Sequence, residues 1–211
     1  MGNDIVDRRA VDAAGKSRDA RFVRRVLTDQ EDRACRQSVD PDQYLWVAWA
    51  ARETAYKAMA KSWPDISASP RRYQPVFDDS IGGQNLRGVV QTPKTPVYIL
   101  VMIRADYIHC IGQTRQSPEH LVWGVERLFA QPDPAGNHDP DRQSAVVRRA
   151  AATRVAACIK LPAADVGIRR RQDQVSRQIL PPGVYIRGVY SEIDISLSHH
   201  GRFAAYAFSI S

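Results

Sequence analysis

Apolar and polar positions divide the chain into two successions, each a long helix followed by several strands. Ile5 and Val6 form a short apolar segment within residues 1–7 that reads as a strand. Residues 8–38 read as helical, and Thr28 followed by Glu31 predicts a capping box that opens a new helix. Asp40-Pro41 breaks this stretch. Residues 42–61, rich in Ala and Trp, predict a helix that ends before Pro64. Residues 73–77, 88–91, 97–103 and 107–111 then read as strands separated by turn residues. A short helix is expected at 119–130, and Pro, Asp, Gly and Asn mark 131–141 as a linker. The order then repeats. An Ala-rich helix is expected at 144–160 and an arginine-rich strand at 168–175. A turn at Pro181-Pro182-Gly183 precedes strands at 184–189, 193–198 and 203–210.

Sliding the second half on the first by 98 positions superposes Pro64 on Pro162 and Arg71-Arg72 on Arg169-Arg170. A duplicated α+β unit follows as the expectation. It has a first lobe over 1–112, a connecting segment over 113–143 and a second lobe over 144–211. Each lobe is a helix packed on an antiparallel sheet.

Composition narrows the setting more than the chemistry. With 44% hydrophobic residues in 211, the chain can bury a core. No apolar run approaches the ~18 residues of a membrane span, and Met1-Gly2-Asn3-Asp4 lacks a basic n-region and apolar h-region. Cys35, Cys110 and Cys158 are scattered, odd in number and form no CxxC pair, so a reduced cytoplasmic protein without zinc is expected. The net charge of +7 favours a polyanionic partner, whether nucleic acid, a phosphorylated small molecule or an acidic protein. The arginine groups lack the interleaved aromatics of an RNA-binding sheet, and no helix-turn-helix or zinc-finger spacing is present. Nucleic acid is therefore not expected.

Three segments carry candidate chemistry. In Gly2-Asn3-Asp4-Ile5-Val6-Asp7, an acidic residue on an edge strand can present its carboxylate to a cation, although Asp at a strand end is more often a turn former. In Trp49-Ala50-Ala51-Arg52-Glu53-Thr54-Ala55-Tyr56-Lys57, Glu53 and Lys57 share a helix face. An ordinary Glu–Lys pair is the bland explanation, yet Trp46, Trp49, Ala50 and Tyr56 make the surroundings apolar, where burying charge is costly. The third is Ser198-His199-His200-Gly201-Arg202-Phe203, a hairpin end that gathers phosphate-binding donors. Adjacent strand residues point to opposite faces, so His199 and His200 do not ligate one ion. Without a G-x-S-x-G elbow, a Ser-His hydrolase is disfavoured.

Jointly, these segments resemble the signature of the 4′-phosphopantetheinyl transferase superfamily. That signature is Gly-x-Asp followed by Trp-Ala-x-(Lys/Arg)-Glu-x-x-x-Lys, and here Asp4 and Glu53 stand 49 positions apart. The stretch from Arg21-Phe22 to Glu31 resembles the family's Arg-Phe…Glu segment. The Ser198-His199 hairpin resembles the Ser-His-Ser-Gly strand pair of the larger, two-lobed members. Residues 78–96 and 113–143 match poorly. In two-lobed members the hairpin precedes Gly-x-Asp, whereas here it comes last. This implies either a circular permutation or a single-unit enzyme fused to its neighbour, with one composite site between the halves. At the repeat offset Ala151 and Val155 replace Glu53 and Lys57.

The resemblance implies an enzyme that moves the phosphopantetheine arm of coenzyme A onto a serine of an apo acyl or peptidyl carrier protein, releasing 3′,5′-ADP. Asp4 and Glu53 would hold Mg²⁺, Glu53 would also activate the serine, and Lys57 would neutralise the pyrophosphate. Ser198 and His199 would hold the 3′-phosphate or adenine end, with Lys61 and Arg142 as further phosphate contacts. An acidic carrier protein would explain the positive charge, with Arg8, Arg9, Arg21, Arg24 and Arg25 as its docking face, and a two-lobed chain would work as a monomer. Three departures stand out. Arg52 replaces the lysine before the glutamate, Val6 stands where two-lobed members often carry a second carboxylate, and Leu180-Pro181-Pro182-Gly183 lacks the lysine of their Gly-Lys-Pro segment. A non-catalytic homologue that binds coenzyme A or a carrier protein is the alternative.

Overall fold

Strands β1 (Gly2–Asp7), β2 (Gln74–Phe77), β3 (Asn85–Gln91), β4 (Val97–Ile103) and β5 (Tyr107–Gln113) form one antiparallel sheet in the order β1-β5-β4-β3-β2. This computed structural model describes residues 1–79, 81, 83–128, 139–172, 177 and 179–210. Helices α1 (Ala20–Val26), α2 (Asp29–Gln37) and α3 (Pro41–Ala60) belong to the same lobe. Asp40 caps α3 by accepting from the Gln43 N–H, and Pro41 opens it without wasting a donor. Val47, Ala51, Ala55 and Met59 bury the helix against the sheet, and Leu45 packs with Val23, Val26 and Cys35 of α1 and α2. The small residues let α3 ride low over β1. A Cβ on Gly2 would lie 2.1 Å from the Thr54 carbonyl oxygen. Gly2→Ala is therefore expected to cost about 1–3 kcal/mol by overpacking, read as a lower urea midpoint with an unchanged slope.

The capping box is present, with the Thr28 hydroxyl accepting from the Glu31 N–H and the Glu31 carboxylate from the Thr28 N–H. The helix expected over 8–38 is shorter than that. Residues 8–15 are turns, and Gly15, at φ 72°, takes a left-handed conformation that ends any helical run. The Gly15 and Ser17 N–H groups donate to Asp42 instead.

The second lobe is built on α4 (Pro140–Cys158). One sheet holds β7 (Val166–Gln172), β8 (Ile179–Ile186) and β9 (Val189–Ser191). The other has the order β10-β11-β6 and consists of β6 (Val122–Arg127), β10 (Asp194–His200) and β11 (Phe203–Ser209). Val147, Ala151, Val155, Val184, Ile195 and Phe208 fill the core between them. The α+β class with antiparallel sheets agrees with the expectation, while β6 comes from the segment foreseen as a connector at 113–143.

Two local expectations are corrected. Of the helix foreseen at 119–130, residues 129 and 130 lie outside the described residues and 122–127 are strand β6, in which Val122, Trp123 and Val125 pair with β11. β-branched and aromatic residues suit a strand, and Gly124 makes room for Tyr206, whose hydroxyl a Cβ would meet at 2.4 Å. Pro181-Pro182-Gly183 is no turn but the middle of β8. Only Val184–Ile186 pair with β9, so the prolines lie where β8 has one neighbour and needs no second donor row. Most of the linker foreseen at 131–141 lies outside the described residues. Cys35, Cys110 and Cys158 are free thiols. Among the described residues, no helix is long and apolar enough to cross a membrane.

Candidate active site

The two lobes meet along the edge of β1 that faces away from β5. Backbone nitrogens of Met1, Asn3, Ile5 and Asp7 donate to Asp194 Oδ2, Ser196 Oγ, Ser198 Oγ and His200 Nδ1, at 2.6, 3.0, 3.2 and 3.0 Å. Alternate residues of β10 face one way, so every second side chain forms one rung. The edge of β1 is thus satisfied by side chains of the other lobe, not by a strand ladder.

Asp4 sits in the middle of this seam, 7% exposed. Its Oδ1 accepts from the Ser198 hydroxyl at 2.9 Å and from Lys57 Nζ at 2.7 Å. Lys57 also reaches the Asn3 carbonyl at 3.1 Å and Ser198 Oγ at 3.4 Å. Glu53 lies one turn before Lys57 on α3 and has no hydrogen bond or ion pair among the described residues. Burial, then repulsion from Asp4, raises its carboxyl above the usual range, and Lys57 and Arg25 only partly offset them. Two neighbouring carboxylates, one of them unpartnered, suit a hard divalent cation that takes its remaining ligands from phosphate and water. Among the described residues, no group of three His, Cys, Asp or Glu could hold a metal unaided.

Below Lys57 a cleft of about 450 Å³ opens between the lobes. Tyr56, Lys57 and Lys61 line it from α3's side, and Arg170, Pro182 and Leu197 from the second lobe. Lys61 is held by Asp194 Oδ1 at 2.5 Å and the Ile195 carbonyl at 2.7 Å. Burial lowers its pKa, against the pull of Asp194. His199 points away from the seam and is exposed. Partial desolvation, with Lys57 and Arg170 nearby, lowers its pKa. Arg142 stands apart from the cleft, exposed in the first turn of α4.

The structure thus brings Asp4, Lys57 and Ser198 into contact, with Glu53 beside them and Lys61 along the cleft. Several partners were not foreseen. Arg52, 1% exposed, turns away from the cleft and pairs with Glu31 at 2.6 and 2.7 Å. Arg170 lies within the Arg169-Arg170-Arg171 group, but which member faces the cleft depends on strand facing. Arg169 instead stacks over Tyr185. Asp7, fully buried, accepts from the side chain of Arg202 at 2.8 and 2.6 Å and from the N–H groups of Arg202 and Arg9. Burial would raise its carboxyl, but these bonds outweigh it and hold the pKa below the usual range. Gly201, at φ 53°, closes the hairpin so near that a Cβ would meet Asp7 Oδ2 at 2.5 Å.

Residues 1–95 match the family model of the 4′-phosphopantetheinyl transferase superfamily. No curated protein and no solved structure matches the chain. The matched stretch carries Asp4, Glu53, Lys57 and Lys61, together with the Glu31–Arg52 pair. The likeness to that superfamily therefore rests on the first lobe, and the β10 side chains that satisfy the edge of β1, like the far wall of the cleft, come from residues beyond the match.

One buried group near this site makes stability depend on pH. His109 is fully buried on β5, with Nε2 3.3 Å from Asn3 Oδ1 and Nδ1 without a partner among the described residues. Burial, with a contribution from Lys57, lowers its pKa from 6.5 to about 3. The unfolded chain takes up a proton that the folded chain refuses, so stability falls as pH drops from 6.5 towards 3, by up to about 1.4 kcal/mol per pH unit. His109→Gln is expected to flatten this slope, measured by urea unfolding at several pH values between 7 and 4.

Proposed function

We propose that the chain transfers the 4′-phosphopantetheine group of coenzyme A to a serine of an acidic apo acyl or peptidyl carrier protein, releasing 3′,5′-ADP and requiring Mg²⁺. The observation that carries this reading is the pair of neighbouring carboxylates, Asp4 and Glu53, beside Lys57 at the head of an interlobe cleft. Mg²⁺ held by Asp4 and Glu53 would supply charge neutralisation at the pyrophosphate. The serine oxygen attacks the β-phosphorus, the bond to the bridging oxygen breaks, and 3′,5′-ADP carries the electron pair away. Glu53, whose carboxyl pKa is raised and which has no hydrogen-bond partner among the described residues, accepts the serine proton directly or through a water. Lys57 keeps its ammonium beside the phosphate oxygens. Lys61, Arg170 and the exposed His199 supply further donors for the coenzyme's phosphates. Arg142 offers a more distant cation, and Ser198 has the role argued below.

Of the five arginines considered for carrier docking, Arg8 is engaged by Asp40 and Arg9 by Asp106. Arg21, Arg24 and Arg25 remain exposed on α1. Arg25 stacks over Phe22 and Trp49. The double reversal Arg21→Glu/Arg24→Glu is expected to raise KM for the carrier by roughly tenfold at low salt and less at high salt. KM for coenzyme A should stay put, and an equal rise in both would remove this docking face.

The reaction is tested by incubating the protein with Mg²⁺, coenzyme A and a panel of apo carrier proteins and weighing the carriers by mass spectrometry. A gain of one phosphopantetheine supports the reading. Coenzyme A binding without a gain on any carrier would instead favour a non-catalytic binding module.

A further inference from the structure

Ser198 is buried on the second lobe, 6% exposed, and its hydroxyl is fully committed. A hydroxyl has one hydrogen and two lone pairs. The hydrogen goes to Asp4 Oδ1 at 2.9 Å. One lone pair accepts the Ile5 N–H at 3.2 Å, and the other faces the Lys57 ammonium at 3.4 Å. Nothing is left over for a phosphate oxygen. The other side of the contact is equally informative. Asp4 Oδ1 carries two donors, whereas Oδ2 has none among the described residues and is not sealed from solvent.

We propose that Ser198 is a positioning residue for Asp4: reaching across from the second lobe, it fixes the carboxylate's rotation so that Oδ2 is presented to the cation. The inference rests on the metal reading above. It assigns the hairpin serine to the metal end of the site and leaves His199, on the opposite face of β10, to the coenzyme's phosphates. It also gives the second lobe a task in the chemistry, because the carboxylate belongs to β1 and the group that aims it belongs to β10. Ser196 is a built-in comparator. It forms the neighbouring rung, accepting the Asn3 N–H at 3.0 Å, and does not hydrogen-bond to Asp4. Loss of a rung can therefore be separated from loss of carboxylate orientation.

The test uses the full chain and Mn²⁺ as a paramagnetic stand-in for Mg²⁺. Mn²⁺ is titrated by electron paramagnetic resonance with coenzyme A present and no carrier, so that nothing turns over. Binding of 3′,5′-ADP is measured separately by calorimetry without metal. Ser198→Ala is expected to weaken Mn²⁺ about tenfold or more and to leave 3′,5′-ADP affinity unchanged. Ser198→Thr should retain Mn²⁺ binding, and Ser196→Ala should shift it less than about twofold. If Ser198→Ala does not fold, Ser198→Cys, a weak donor of similar size, takes its place. Weakened 3′,5′-ADP with unaltered Mn²⁺ would make Ser198 a phosphate contact and overturn the proposal. Equal Mn²⁺ losses in Ser196→Ala and Ser198→Ala would also overturn it, by reducing the effect to lobe closure. A wild-type chain whose Mn²⁺ binding is indifferent to Asp4→Asn removes both the metal reading and this role. One that binds Mn²⁺ through Asp4 yet modifies no carrier sinks only the proposed reaction.

Discussion

Glu53→Gln is expected to lower kcat/KM for carrier modification by roughly 10²–10⁴-fold while leaving the protein folded. The substitution keeps the side chain's shape and removes both its negative charge and its ability to take a proton. Coenzyme A affinity should change little without metal, since the cleft below is lined by Lys57, Lys61 and Arg170, which the variant retains. A second readout follows from the raised carboxyl pKa. A group whose folded pKa lies above its unfolded value is destabilising when ionised, so stability rises as pH falls through the carboxyl's titration. Glu53→Gln is thus expected to raise the metal-free melting temperature at neutral pH, with the gain vanishing in acid. Such a trade of stability for function is common at active sites. Unimpaired transfer by this variant would remove Glu53 from the chemistry.

The largest expected loss of stability comes from Glu31→Ala. Arg52 is 1% exposed, and Glu31 supplies its only carboxylate partner among the described residues. Removing it strands a buried guanidinium, which costs about 3–5 kcal/mol. The same change dissolves the capping box of α2, adding about 1 kcal/mol. Burial alone would raise the Glu31 carboxyl, but Arg52 and the Thr28 N–H hold it below the usual range. Against a total of roughly 5–15 kcal/mol, this loss is severe. The double variant Glu31→Ala/Arg52→Met should recover most of it, because the stranded charge is gone. Urea unfolding of the wild type, both singles and the double closes the cycle. A mild effect of Glu31→Ala alone would show that Arg52 finds water or another partner. Paired with Glu31, Arg52 is a strut between α2 and α3.

Local order was legible in the chain itself wherever neighbours in sequence decide the outcome. The Asp40-Pro41 start of α3, the Thr28–Glu31 capping box, the strands of the first sheet and the hairpin after His200 depend on residues a few positions apart. Glu53 and Lys57 share a face because helical geometry allows nothing else. Where competing local preferences were balanced, tertiary pairing decided. Residues 122–127 became a strand because β11 offered an edge, and Pro181-Pro182 stayed within β8 because that stretch has one neighbour. The site required more still. Asp4 meets Ser198, and Met1 through Asp7 meet Asp194 through His200, across almost the whole length of the chain. No periodicity encodes such contacts, since they join residues more than 190 positions apart that meet only in the folded chain. The sequence by itself singled out the candidate residues Asp4, Glu53, Lys57 and Ser198 and the helix or strand that holds each. Only the tertiary structure decided that Arg52 braces α2, that Arg170 faces the cleft, and that the hairpin serine spends its hydroxyl on Asp4.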